Sequence, residues 1–78
     1  MEHRVDEVLG MYPPVARDGM LETLTNEDAG ERARVIGGLY AAPQLRSLAE
    51  LLIDLEIDPT MRAFVVGMLR DSARPPSA

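Results

Sequence analysis

Few side chains in this sequence can do covalent or metal chemistry. Cysteine is absent, and there is one histidine, His3. Nucleophilic catalysis needs a hydroxyl or thiol held beside a base, and metal binding needs several ligands converging from fixed positions. Ser47, Ser72 and Ser77 stand in no nucleophile motif. His3 is next to Glu2 and close to Glu7, but near a terminus, where geometry is poorly held. Gly37-Gly38 lacks the spacing of a phosphate-cradling loop. The expectation is a protein that is not an enzyme and holds no metal and no cofactor.

What remains is binding. Thirteen acids oppose eight bases, giving a net charge of −5. Neutralising phosphates requires a basic face, so nucleic acid is not the expected ligand. Another protein or a second copy of this chain is. The acids gather in two clusters, Glu27, Asp28 and Glu31, then Asp54, Glu56 and Asp58. Helix starts attract acids through capping and the helix dipole, which accounts for Asp28 and Asp58. Glu27, Glu31, Asp54 and Glu56 are left as candidates for an acidic partner-binding edge. A second candidate surface is apolar: Ile53, Ile57 and Val66 fall off the main stripes of their segments.

Short helices must position these groups. Pro13-Pro14, Pro43, Pro59 and Pro75-Pro76 punctuate the chain. Asp58-Pro59 is the clearest helix start, since the aspartate can cap exposed N–H groups and a proline at the first helical position has none to satisfy. Between these marks the apolar spacing is helical. Leu45, Leu48, Leu52 and Leu55 form one stripe, widened by Ala49 and Leu51; Met61, Phe64, Val65, Met68 and Leu69 form another. Ala29, Ala33, Ile36, Gly37 and Tyr40 follow a third. Val15, Met20, Leu21 and Leu24 make a weaker face, and Val5, Val8, Leu9 and Tyr12 suggest a short first helix. No two-residue alternation is sustained, so no strand is expected. The prediction is all-α: one domain over residues 1–70, with helices at 3–11, 14–24, 27–40, 43–57 and 59–70, then a disordered polar tail over 71–78.

The chain also matches itself. Shifted by thirty residues, the segment Arg32–Leu39 falls on Arg62–Leu69 with five of eight positions identical. Pro13 falls on Pro43, Leu21 on Leu51 and Asp28 on Asp58. In each copy an arginine, Arg32 or Arg62, follows the aspartate by one helical turn and can reach back to it or to the aspartate of the neighbouring copy. Gly37 and Gly67 cost about 1 kcal/mol each relative to alanine, which suggests that another helix approaches them closely.

Asp58-Pro59-Thr60-Met61-Arg62, followed by Val65, Val66 and Leu69, resembles the second helix of HEAT-like repeats of the phycobilisome-lyase type. The first copy keeps Asp28, Arg32, Val35, Ile36 and Leu39 but departs at Ala29 and Glu31. The resemblance covers roughly residues 13–70. It implies two stacked helical hairpins behind an N-terminal helix, and protein binding on a helical surface; a generic small helical bundle is the alternative. Chromophore-lyase activity is not implied, because no pigment-handling residue can be matched.

A chain of 78 residues buries only about 60% of its unfolded surface, so oligomerisation or a partner is the expected source of added stability. The residues after Met1 are acidic where a secretory leader is basic, and no stretch approaches the ~18 apolar residues of a membrane span. With cysteine absent, a cytoplasmic location is expected. The functional expectation is an adaptor, accessory subunit or regulator. The alternative is a small acidic inhibitor of the antitoxin, immunity-protein or phage-encoded type, blocking a basic site.

Overall fold

Local chemistry sets where α3 and α5 start. In the computed structural model, which describes the backbone of residues 2–73 and the side chains of 3–72, five α-helices follow one another. They are α1 (Glu2–Leu9), α2 (Val15–Thr25), α3 (Ala29–Ala41), α4 (Arg46–Ile57) and α5 (Pro59–Ala73). A 3₁₀ turn, Pro43–Leu45, leads into α4. Asp28 caps α3 by accepting from the Gly30 N–H at 2.9 Å and the Glu31 N–H at 3.2 Å. Asp58 accepts from the Met61 N–H at 3.0 Å, with Pro59 as the first residue of α5. Both capping assignments made from the sequence hold.

The chain is all-α, with five helices and no strand among the described residues. The expected polar tail begins later than residue 71, because α5 continues through Ala73; residues 74–78 of that tail lie outside the described residues.

The core is built around α4. Leu48, Ala49, Leu51, Leu52 and Leu55 are all buried, covering more of the helix than a single stripe would. The reason is topological: α1, α3 and α5 all pack against α4. Val5, Val8 and Leu9 enter from α1, Ile36 from α3, and Val65 and Leu69 from α5. Met20 and Leu24 complete the cluster from α2, which lies against α5. Burying four leucines on α4 contributes about 1.5–3 kcal/mol each, which makes this helix the main source of stability.

Hairpins stacked in parallel register would put α2 on α4 and α3 on α5. The principal pairings are instead α3 with α4 and α2 with α5. That set of pairings is unchanged when the two hairpins are exchanged, and it is not the set that translating one onto the other would give. Positions matched by the thirty-residue shift therefore need not share an environment: Val65 is fully buried, whereas Val35 is exposed.

Three further expectations change. No neighbour lies within 4 Å of a Cβ built on Gly37 or Gly67, so neither glycine is required by a close helix approach. Phe64 and Val15, read as inward-facing, are exposed. The stripe on α3 sends only Ile36 into the core; Ala29, Ala33, Gly37 and Tyr40 lie on the outside.

Candidate protein interface

The outward stripe of α3 meets α4 along an open groove. Ala29, Ala33, Ile36, Gly37 and Tyr40 line it from α3, and Ile53, Glu56 and Ile57 from α4. The small residues keep the α3 wall low, and the isoleucines stand above it. Tyr40 is 45% exposed, Ile53 37% and Ile57 76%. At one end the Arg46 guanidinium lies 5.0 Å from the centroid of the Tyr40 ring, and its Nε–H donates to the Tyr40 carbonyl at 3.2 Å. At the other end are Asp28, which caps α3, and Asp58, which follows Ile57.

The two apolar candidates on α4, Ile53 and Ile57, thus share one groove. Val66 does not join them. It is half-buried against the core and lines a separate cleft with Leu24, Arg62, Gly67 and Arg70. Tyr40 and Gly37 belong to the groove but were read from the sequence as inward-facing. Across the whole α3 stripe alanine and glycine outnumber larger apolar residues, the available sign that it is not core.

The four candidates for an acidic edge are mostly engaged within the chain. Glu31 pairs with Arg34, and Asp54 pairs with Arg4 of α1. Glu56 Oε1 accepts from Arg32 Nε–H at 2.5 Å, and its Oε2 lies 3.9 Å from Arg62 Nη1. Glu27 makes no ion pair among the described residues and is exposed. Arg32 and Arg62 do not turn back to Asp28 and Asp58, whose carboxylates serve the helix caps. Arg32 also donates to the Asn26 carbonyl at 2.5 Å, tying the end of α2 to α3.

A second cleft, of about 510 Å³, opens where α2 and α3 diverge. Met20, Val35, Leu39, Leu45, Leu48 and Leu52 form its apolar lining, with Thr23, Asn26 and Arg32 among its polar groups. Arg32, which lines it, donates to the Glu56 carboxylate and to the Asn26 carbonyl, so its charge is matched by a carboxylate of the same chain.

His3 is exposed, and among the described residues no three or more His, Asp or Glu side chains converge as a metal site. No helix among them is long and apolar enough to cross a membrane. No protein-family model matches the chain, and no curated protein or solved structure matches it.

Proposed function

We propose that this chain is a non-catalytic protein-interaction module, a cytoplasmic adaptor, accessory subunit or regulator that docks through the α3–α4 groove. The observation that carries this reading is the exposure of Tyr40, Ile53 and Ile57 beside the low wall of small residues on α3. Large apolar side chains clustered on a surface favour protein contact, because covering them removes apolar area from water. The likeness of the Asp28–Leu39 and Asp58–Leu69 segments to HEAT-like second helices supports the same reading, since helical repeats of that kind bind proteins.

The acidic-inhibitor reading has the net charge of −5 and the exposed Glu27, Asp28 and Asp58 in its favour. Against it, Glu31, Asp54 and Glu56 already face arginines of the same chain.

Capture of binding proteins by the wild-type chain and by an Ile53→Glu/Ile57→Glu variant tests the groove. A protein or second copy retained only by wild type, with little sensitivity to salt, is the expected result. A partner held equally by both but released by salt would identify the inhibitor instead. Absence of both a partner and self-association would overturn the interaction reading.

A further inference from the structure

We propose that the cleft between α2 and α5 is a second docking site, and that its occupant is a helix of another protein carrying acids on either side of an apolar residue. The site is separate from the α3–α4 groove and does not depend on it.

The cleft, of about 430 Å³, is walled by Leu24 and Thr25 at the end of α2 and by one face of α5. Arg62, Val66 and Arg70 follow one another along that face at four-residue steps. No carboxylate lines the cleft, although acids outnumber bases thirteen to eight in the chain. It is a cationic patch on an acidic protein, with an apolar residue at its middle.

Both arginines have donors to spare. The Arg62 side chain is 29% exposed, and its 3.9 Å contact with Glu56 is too long for a hydrogen bond. That carboxylate is already held at 2.5 Å by Arg32. Arg70 is exposed and has no ion-pair partner among the described residues. A carboxylate brought into the cleft would accept charge-assisted bonds that the chain itself does not supply.

The spacing selects the shape of the ligand. Arg62 and Arg70 are two turns apart, about 12 Å along α5 at 1.5 Å per residue. A helix laid along α5 meets them with acids seven or eight residues apart, and places an apolar residue between them over Val66. Ala63 and Gly67, in the adjoining row of α5, are exposed and keep that side of the cleft low. A Cβ on Gly67 would meet nothing within 4 Å, so the helix propensity that this glycine sacrifices has no reason inside the chain. Close approach of a partner's backbone supplies one. The mode is an amphipathic helix in a groove, with arginines reading its acids.

Selection of binders from a library of randomised helical 16-residue peptides, displayed on phage and offered to the intact chain, reads the ligand chemistry directly. It should run at about 0.15 M salt, where a Debye length of ~8 Å screens the repulsion of the net charge of −5 but not contacts within the cleft. The expected binders carry two acids seven or eight residues apart, flanking an apolar residue. With such a peptide, Arg62→Gln/Arg70→Gln should raise Kd at least about tenfold. Gly67→Leu should raise it similarly while leaving Tm no lower than wild type, so lost binding cannot be lost folding. Ile57→Glu should leave Kd within about twofold. Selected peptides without the acidic pattern overturn the proposal, as does a Kd indifferent to the arginine pair or to Gly67→Leu, or no binder below about 1 mM. A peptide lost on Ile57→Glu but not on the arginine variants sits in the α3–α4 groove; this site then fails while the docking role of that groove stands.

Discussion

Arg32 and Arg62, at matched positions of the thirty-residue repeat, face the same carboxylate, that of Glu56. Arg32 makes the closer contact, with Nε at 2.5 Å and Nη2 at 3.4 Å from the two oxygens; Arg62 Nη1 stands at 3.9 Å. The Arg32 side chain is only 12% exposed, so it is poorly placed to regain water if its acceptor is lost. Glu56 thereby joins the start of α3 to the end of α4, with the start of α5 alongside.

Glu56→Gln should therefore cost more than loss of either arginine. The amide leaves two guanidinium groups together without a counter-charge. The expected loss is about 2 kcal/mol, or a Tm lower by about 10 °C. Arg62→Gln removes a longer contact between partly exposed groups and should cost under about 1 kcal/mol. Thermal melts followed by circular dichroism compare them; equal losses would contradict the ranking.

The two caps predict a paired result. Asp28→Ala removes an acceptor shared by the Gly30 and Glu31 N–H groups, and Asp58→Ala removes that of Met61. Each should lower stability by about 1 kcal/mol. Asp28→Asn keeps a capping oxygen and should cost only a few tenths of that. Urea titration measures all three, and an asparagine variant as unstable as the alanine one would show that capping is not what Asp28 contributes.

Gly67→Ala should stabilise the protein. A Cβ there meets nothing within 4 Å, while alanine gains about 0.8–1 kcal/mol of helix propensity over glycine. The Tm should rise by about 4–8 °C. Gly30 behaves differently: its added Cβ would lie 3.2 Å from the Asp28 Oδ1 that caps α3. Gly30→Ala should gain less than Gly67→Ala, and a destabilised Gly67→Ala would reveal a constraint at that site.

What was legible in the sequence is local. Asp28 and Asp58 cap helices, Pro59 opens one, and the α4 leucines form a core stripe, because each depends on neighbours within a turn or two. The pairing of helices is not local. Arg32 meets Glu56 across 24 residues of chain, and nothing in its own segment selects that carboxylate over Asp28. The α3 stripe shows the same limit. Spacing identified Ala29, Ala33, Gly37 and Tyr40 as one face, but whether a face is covered depends on which helix lies over it. The candidate groove was half legible: Ile53 and Ile57 stood out as excess apolar residues on α4, whereas the opposing wall was hidden in a stripe that read as core.

Val35 and Val65 separate the repeat from the fold. They occupy matched positions in the thirty-residue register, and hairpins stacked by translation would place them in similar surroundings. Here Val65 is fully buried on the inner face of α5, while Val35 is 41% exposed on the wall of the cleft between α2 and α3. Val65→Ala removes two methyl groups from packed surroundings and leaves a cavity, so its expected cost is about 2 kcal/mol. Val35→Ala shortens a side chain already in contact with water and should cost under about 0.5 kcal/mol. The difference corresponds to roughly 6–12 °C in Tm for a domain of this size. Because the substitution is the same and both sites are helical, the change in intrinsic helix propensity largely cancels in the comparison. The remaining difference reports burial. Equal losses at the two positions would favour translated hairpins over the exchange of hairpins seen in the α3–α4 and α2–α5 pairings.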